Sequence, residues 1–178
     1  MIVTLVGMMG SGKSTVGKLV SEKLDYKFYD TDSLIVEKTG RKITDIFRIK
    51  GEEYFRDLEK EVINELYNKN DIKNSVIATG GGAVLSEANR NLFLNRSKVY
   101  WLNVEVDKLA DRLYENKERP LIRNYKNRKS DLVNHLDNIL NDRIDYYQIG
   151  IEINGTKKPS QIAIEIMNDI KDEGDIIE

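Results

Sequence analysis

The chain has 178 residues, a formal net charge of −2, 40% hydrophobic residues and no cysteine. The length predicts a single domain over residues 1–178, and the slightly acidic balance argues against a general nucleic-acid-binding protein. Disulfides and cysteine metal sites are excluded, and no apolar run approaches the length of a membrane span. Because the N-terminal apolar stretch lacks a preceding basic segment, we expect a cytoplasmic protein.

The first predicted strand, Ile2–Val6, runs directly into the stretch Gly7–Ser14, which fills every fixed position of the pattern G-x-x-x-x-G-K-[ST]. A predicted helix follows. Glycines let successive backbone N–H groups curve around phosphate oxygens at a helix N-terminus. In such a loop Lys13 reaches the outer phosphates and the Ser14 hydroxyl ligates magnesium. A chance Gly-Lys turn is disfavoured by the strand–loop–helix order, so the stretch predicts binding of a nucleoside triphosphate.

Short apolar strands alternate with helical periods along the rest of the chain. This alternation predicts an α/β fold with a parallel five-stranded sheet flanked by helices, and ligands beyond the carboxyl ends of the strands. The other predicted strands are Lys27–Tyr29, Ser75–Ala78, Lys98–Leu102 and Gly150–Ile153. The predicted helices are Ser14–Leu24, Glu52–Asn68, Ser86–Asn95, Val106–Tyr114, Asp131–Gln148 and Pro159–Lys171.

Polar residues and glycines follow the second and third predicted strands, where this architecture places ligands. Asp30, Thr31 and Asp32 come directly after the second strand, and the run Gly80–Gly82 follows the third. Either aspartate alone could cap a helix beginning near Ser33, but that alternative leaves the other aspartate unexplained. Magnesium–phosphate chemistry or contact with a substrate hydroxyl accounts for both. The glycine run predicts close backbone approach to a ligand, with a flexible turn as the alternative.

The class of nucleotide-binding protein follows from what surrounds these motifs. A regulatory GTPase needs an Asn-Lys-x-Asp element after a later strand, and the sequence contains none. An oligomeric ATPase typically carries an apolar run ending in acidic residues, whereas the third predicted strand ends in glycines. The remaining interpretation is a small kinase. Because the chain is nearly neutral, local arginines and lysines must bind any anionic substrate.

Taken together, six motifs resemble the shikimate kinase family, in the family's order and over nearly the whole chain. They are Gly7–Ser14, Asp30–Asp32, Phe55–Arg56 with Glu59, Thr79–Val84, Arg119–Leu121, and Arg143 followed by Tyr146. The resemblance implies a P-loop, nucleoside-monophosphate-kinase-like fold with a substrate-binding helical segment at residues 33–60 and a mobile lid at residues 114–126. It also implies phosphorylation of the 3-hydroxyl of shikimate by ATP with Mg²⁺, a step of aromatic amino-acid biosynthesis through chorismate.

The resemblance implies a role for each matched residue. Lys13, Asp32 and Arg119 are the implied catalytic residues: Lys13 bridges the outer phosphates, Asp32 binds the reacting hydroxyl, and Arg119 closes on the phosphoryl group. The implied nucleotide-binding residues are Gly10, Ser11, Gly12, Lys13, Ser14, Thr15, Arg112, Arg119 and Lys157. The implied shikimate-binding residues are Asp32, Arg56, Gly80, Gly81, Gly82 and Arg143. The implied magnesium ligands are Ser14, Asp30 and Asp32.

The chemistry of a carboxylate substrate agrees with two of these assignments. Guanidinium groups bind carboxylates bidentately, which suits Arg56 and Arg143. Taken alone, both arginines would be interpreted as solvated charges on helices, and the resemblance reverses that interpretation. Glu59 lies three residues after Arg56 and could orient it. Lys157 stands in a loop where the family often has arginine, so the details of the adenine contacts stay open.

Two alternatives remain. One is another small-molecule kinase of this fold, such as a gluconate kinase-like enzyme; the glycine run together with Arg56 and Arg143 argues against it. The other is a catalytically silent nucleotide-binding relative, against which the intact set Lys13, Ser14, Asp32 and Arg119 argues. We expect a monomer that binds ATP and shikimate and contacts neither nucleic acid nor a membrane.

Overall fold

A computed structural model describes residues 1–115 and 129–174. Its centre is a sheet of five described strands, all parallel, in the spatial order β2-β3-β1-β4-β5. This confirms the predicted fold class, and each strand boundary agrees with its prediction within one residue. The strands are β1 Ile2–Val6, β2 Lys27–Asp30, β3 Ser75–Ala78, β4 Lys98–Asn103 and β5 Ile151–Asn154.

Helices cover both faces of the sheet, as the alternation of elements predicts. A short 3₁₀ turn, Ala83–Leu85, follows β3 and the glycine run. The α-helices in the described ranges are α1 Lys13–Leu24, α2 Thr31–Thr39, α3 Ile43–Tyr67, α4 Glu87–Arg96, α5 Val106–Glu115, α6 Lys129–Asn141, α7 Ile144–Tyr147 and α8 Pro159–Gly174.

Two helix predictions differ from the structure. The single predicted helix over residues 131–148 is two helices, α6 and α7, separated at Asp142 and Arg143. The turn before the break tightens, because the Arg143 N–H donates to Leu140 O, three residues back, over 3.0 Å. Asparagine and aspartate are weak helix formers, and the stretch before the break is rich in them. Helix α2 is absent from the helices predicted by periodicity, but it lies where the capping alternative for Asp30 and Asp32 places a helix.

Helix α3 consists of two helical segments joined at Gly51. This glycine has φ 85° and ψ 174°, a backbone conformation that residues other than glycine rarely adopt. The predicted helix start at Glu52 therefore coincides with the start of the second segment. This second segment carries Arg56 and Glu59.

The hydrophobic core lies in layers set by the alternation of side chains along the strands. Val3 and Leu5 of β1 pack with Val16 of α1 and Ile162 of α8 on one face. On the other face Val6 belongs to the larger cluster that includes Trp101, Ile63 and Leu109. The central strand is buried on both faces, as is usual for parallel sheets.

A separate small cluster joins α2 to α3. It consists of Ile35, Ile46, Phe55, Leu58 and Val62, each less than 10% exposed. Burial of such a side chain contributes roughly 1.5–3 kcal/mol. This cluster anchors the segment predicted to bind substrate.

The predicted lid falls mainly outside the described residues. Only Tyr114 and Glu115 of the range 114–126 lie within them, at the end of α5, and Arg119 lies outside. Among the described helices, none combines the length and apolar character that a membrane crossing requires.

Candidate active site

A cavity of about 400 Å³ lies at the carboxyl ends of β1, β2 and β3. The phosphate loop forms its floor through residues 9–15, and strand-end residues form one wall. The opposite wall comes from α5 and from the loop after β5. The wall residues include Asp30, Asp32, Thr79, Gly81, Arg112, Gly155 and Lys157.

The phosphate loop has the backbone shape expected from its glycines. Gly10 has φ 81° and Gly12 has φ 95°, and Gly12 is the N-cap of α1. Within residues 1–115 and 129–174 no side chain caps this helix N-terminus, so its first N–H groups can bind a ligand. The loop therefore presents the positive end of a helix dipole to the cavity, a suitable site for phosphate.

Lys13 is buried although it carries a charge. Its Nζ donates to Gly7 O over 2.7 Å, to Met8 O over 2.8 Å and to Ser11 Oγ over 3.3 Å. These contacts seat the ammonium group on the loop's own oxygens, at the edge of the cavity that Lys13 lines. A positive charge thus lies where the outer phosphates of a nucleotide are expected.

Ser14, Asp30 and Asp32 form an oxygen-rich corner of the cavity. The Ser14 hydroxyl donates to Asp30 Oδ2 over 2.5 Å, and Asp30 Oδ1 accepts a hydrogen bond from Ser33 N over 3.2 Å. Asp30 is therefore the N-cap of α2 and also a partner of Ser14, so the capping alternative holds for Asp30 together with a site contact. Asp32 lies in the first turn of α2, half-buried, and lines the cavity.

This corner fits a magnesium ion in part. A hydroxyl and carboxylates are the oxygen donors that magnesium prefers. Residues 1–115 and 129–174 contain no group of three or more His, Cys, Asp or Glu side chains arranged to hold a metal. The protein would thus supply a few ligands, and nucleotide phosphates and water the others, as is usual for magnesium in phosphoryl transfer.

Arg56 is held in place by two glutamates of the same helix. Its Nη1 donates to Glu59 Oε2 over 2.8 Å, and its Nη2 and Nε donate to Glu52 Oε1 over 3.1 and 3.3 Å. The three-residue spacing thus lets Glu59 orient Arg56. Burial raises the pKa of the Glu59 carboxyl, and the neighbouring Arg56 charge opposes this effect.

Each glycine of the run permits a close approach by neighbouring protein atoms. A Cβ at Gly80 would lie 2.7 Å from both Asp32 Oδ1 and Glu59 Oε1, and one at Gly82 would lie 2.5 Å from Arg56 Nη1. A Cβ at Gly81 would lie 3.0 Å from the backbone nitrogen of Met9 in the phosphate loop. The expected close approach is therefore partly to the protein itself. In addition, the Gly80 N–H donates to Thr31 Oγ1 over 2.9 Å, so this N–H is engaged within the protein.

Arg143 is the N-cap residue of α7 and lies half-buried beside Tyr147. Burial raises the pKa of the Tyr147 phenol, and the charge of the Arg143 guanidinium opposes this effect. Burial is the main influence on the pKa of Glu59 and raises it, whereas the charge of the same guanidinium lowers it. Arg143 therefore lies on the same side of the site as Arg56.

Sequence reasoning missed Tyr147 and emphasised its neighbour. Tyr147 is fully buried and its hydroxyl donates to Gly81 O, whereas Tyr146 is 38% exposed and lies under Arg90. The signal was present in the spacing. Tyr147 follows Arg143 by four residues, which is one helical turn.

Arg112 and Lys157 lie on the wall opposite the aspartates. Arg112 Nη2 donates to Gly155 O over 2.9 Å, and Nη1 donates to Ser11 O over 3.3 Å. Arg112 thus ties the phosphate loop to the loop after β5. Lys157 pairs with Glu165 over 2.6 Å and is exposed. The adenine contact of both residues stays a prediction.

The structure thus brings nearly all the predicted site residues to one end of the sheet. Phosphate-loop residues, the two aspartates, Gly81, Arg112 and Lys157 share the cavity itself. The remaining residues lie next to the cavity. Gly80 adjoins Asp32 and Glu59, Gly82 adjoins Arg56, and the charges of Arg56 and Arg143 both act on Glu59. Arg119 lies outside the described residues.

Comparisons with known proteins identify the family to which the chain belongs. The family model described as Shikimate kinase matches residues 9–171. A shikimate kinase of Sulfurihydrogenibium sp. is 44% identical over 171 residues, 95% of this chain and 97% of that protein. The structure of shikimate kinase from Acinetobacter baumannii in complex with shikimate is 34% identical with a TM-score of 0.86, covering 97% of this chain and 93% of that one. Shikimate kinase from Aquifex aeolicus is 35% identical with a TM-score of 0.81, covering 98% of each chain.

Proposed function

The chain belongs to the shikimate kinase family, and we propose that it transfers the γ-phosphoryl group of ATP to the 3-hydroxyl of shikimate. The products are shikimate 3-phosphate and ADP, and the reaction is a step of chorismate and aromatic amino-acid biosynthesis. The observation that carries the proposal is the relation of Arg56 to Asp32. Asp32 lies against Gly80 and Arg56 against Gly82, so one glycine run carries a hydroxyl-binding carboxylate and a carboxylate-binding cation beside a phosphate loop.

Substrate binding follows from the charges of this arrangement. Shikimate carries one carboxylate and three hydroxyls. Arg56, oriented by Glu59 and Glu52, binds the carboxylate together with Arg143, and planar guanidinium groups suit this bidentate contact. Gly81 and Gly82 contribute backbone next to these arginines. The ring hydroxyls then face Asp32.

Phosphoryl transfer requires position and charge stabilisation more than covalent chemistry by the protein. The shikimate 3-oxygen forms a bond to the γ-phosphorus while the bond from that phosphorus to the β–γ bridging oxygen breaks. Asp32 accepts the hydrogen bond of the attacking hydroxyl and receives its proton. Lys13 stabilises the negative charge that builds on the β- and γ-phosphates. Arg119, from the lid at residues 114–126, adds a second positive charge.

Magnesium is the proposed cofactor, held by Ser14, Asp30 and Asp32. When bound it neutralises phosphate charge. The protein residues fix where this corner lies, because Asp30 is tied both to Ser14 and to the N-terminus of α2. Gly10–Thr15 hold the phosphates, and Arg112 and Lys157 flank the adenine. We further propose a cytoplasmic monomer.

The two alternatives have less support. A gluconate kinase-like activity is not favoured, because the family model and the relatives are shikimate kinases. A silent relative would have no reason to keep Lys13, Ser14 and Asp32 together at the cavity.

The test is ADP release by the full chain with ATP and Mg²⁺, measured with shikimate, with gluconate and without acceptor. We expect release that depends on shikimate and is absent with gluconate, and formation of shikimate 3-phosphate in equal amount. Lys13→Ala is the matched negative control for contaminating kinases. Release with gluconate alone, or none with either acceptor, would reject the proposal.

A further inference from the structure

The Tyr147 hydroxyl links three parts of the site. It donates a hydrogen bond to Gly81 O and lies 3.4 Å from Met8 Sδ in the phosphate loop. The Arg143 guanidinium lies close enough to the same phenol for its charge to lower the phenol's pKa, and the Tyr147 N–H donates to Arg143 O over 3.2 Å. A phenol has one proton to donate and can accept in addition. Because that proton goes to Gly81 O, the phenol oxygen can accept from the nearby Arg143 guanidinium.

From this chain of contacts we propose that Tyr147 is a positioning residue for the carboxylate of the substrate, an inference that rests on the proposed function. Tyr147 does not contact the substrate. It holds the Gly81 carbonyl and the Arg143 guanidinium in one fixed relation, so that the glycine run and the arginine together present a formed anion site.

Tyr147 acts on the glycine run by orienting the peptide between Gly81 and Gly82. The Gly81 carbonyl and the Gly82 N–H belong to one trans peptide, so they point in opposite directions. Because the carbonyl is turned towards Tyr147, the Gly82 N–H is turned away from it. Glycines fix the direction of a peptide poorly on their own, because their backbone rotates most freely. A hydrogen bond from a rigid side chain therefore sets the peptide's direction.

Tyr147 itself is rigidly held. Its side chain is 0% exposed, and its ring stacks on Trp101 of β4 with the ring centres 6.4 Å apart and an angle of 8° between planes. Trp101 is the chain's single tryptophan. The sheet thus fixes the phenol, and the phenol fixes the glycine run. The neighbouring Tyr146 is exposed and makes no contact of this kind with Gly81.

The experiment compares Tyr147→Phe with two matched phenylalanine variants. Tyr67→Phe removes another fully buried phenol, hydrogen-bonded to Thr4 and Ser97 away from the cavity, and so controls for lost stability. Tyr146→Phe removes the adjacent exposed hydroxyl. We expect Tyr147→Phe to raise the KM for shikimate roughly three- to tenfold, the effect of losing about one hydrogen bond, with the KM for ATP within about twofold. The two controls should keep both KM values.

A neutral analogue identifies the part of the substrate that is affected. With shikimate methyl ester, Tyr147→Phe should change kcat/KM much less than it does with the acid. As a second measurement in the unmodified enzyme, Trp101 fluorescence should respond to binding of the acid and much less to bound ester. This arm holds even where Tyr147→Phe does not fold.

The outcomes separate the two claims. A parent enzyme that neither binds nor phosphorylates shikimate rejects the proposed function and this inference with it. If the parent enzyme is active, the inference alone is rejected when Tyr147→Phe leaves the KM for shikimate unchanged. It is also rejected when Tyr147→Phe impairs kcat/KM equally for acid and ester, or raises the KM for ATP as much as that for shikimate. The same rise in the KM for shikimate in Tyr67→Phe rejects it as well. If the variant does not fold, equal Trp101 responses to the two bound ligands reject it.

Discussion

Glu59 gives its two carboxylate oxygens different surroundings: Oε2 accepts a hydrogen bond from Arg56 over 2.8 Å, whereas Oε1 has no hydrogen-bond partner within the described ranges. The side chain is only 2% exposed. A buried carboxylate oxygen without a partner disfavours the charged form. Burial therefore raises the pKa of the residue that orients the proposed carboxylate site, and the Arg56 charge opposes this effect.

Glu59→Gln should change how the free energy of unfolding depends on pH. Burial raises the pKa of Glu59 in the folded protein above its ordinary value of 4.5. The folded state then binds the proton more tightly, so the stabilising contribution is complete below 4.5 and is lost as pH rises through the raised value. The parent's stability relative to the variant should fall over this window by about 1.4 kcal/mol per unit of pKa increase. Urea unfolding of both proteins from pH 4 upward measures this difference, and a difference that is constant with pH would contradict it.

Gly82→Ala should impair shikimate binding with little loss of stability. Gly82 has φ −105°, which alanine accepts, but its Cβ would lie 2.5 Å from Arg56 Nη1. The guanidinium ends a flexible side chain and can swing away, so the fold should tolerate the change. Losing the charged hydrogen bond to the substrate costs roughly 1.5–3 kcal/mol, and the KM for shikimate should rise by roughly ten- to a hundredfold.

The control for this substitution is the same change in an Arg56→Ala background. There Gly82→Ala should add almost nothing to the KM for shikimate, because the displaced group is already gone. Additive effects in the double variant would mean that Gly82 acts independently of Arg56.

Two substitutions distinguish the helix-capping role of Asp30 from its proposed role as a magnesium ligand. Asparagine is as good an N-cap as aspartate, so Asp30→Asn should unfold with nearly the parent's free energy, while Asp30→Ala should lose about 1 kcal/mol. Both lose the carboxylate next to Ser14 and should need more magnesium for half-maximal rate. Thermal or urea unfolding and a magnesium titration of the rate supply the two readouts. If Asp30→Asn keeps the parent's magnesium dependence, Asp30 is a helix cap alone.

Asp32→Asn should lower turnover by roughly 10²–10⁴-fold, the usual contribution of a positioned proton acceptor. ATP affinity should change far less, because the phosphate loop and Lys13 remain. Asp57→Asn, an exposed helix aspartate paired with Lys60, is the matched control and should keep parental rates. The check is kcat with ATP and shikimate both saturating. A near-parental kcat in Asp32→Asn would remove Asp32 from the reaction.

The sheet was predictable from sequence because each strand is a short apolar run followed by a turn or a helix signal. The phosphate loop and Asp30–Asp32 were predictable for a related reason: parallel strands bring residues just after them to one edge. The break between α6 and α7 was not, since a few weak helix formers after Leu136 decide it. Tyr147 was also missed: its spacing from Arg143 is visible in the sequence, but its contacts with Gly81 and Trp101, which lie far away in sequence, are not. The pairing of Gly82 with Arg56 likewise exists only in three dimensions.

Because α3 is broken at Gly51, its length before the break can change without moving Arg56 and Glu59. Adding one residue within a helix rotates everything beyond it by about 100° relative to what precedes it. An insertion after Arg56 would therefore turn Arg56 and Glu59 to different faces. An insertion just before Gly51 would instead be absorbed at a joint where an added Cβ would meet no described atom within 4 Å apart from the adjoining chain, leaving residues 52–67 in register. The outer segment, residues 43–50, is thus the place where this helix can change length and still keep Arg56 beside Glu59 and the glycine run.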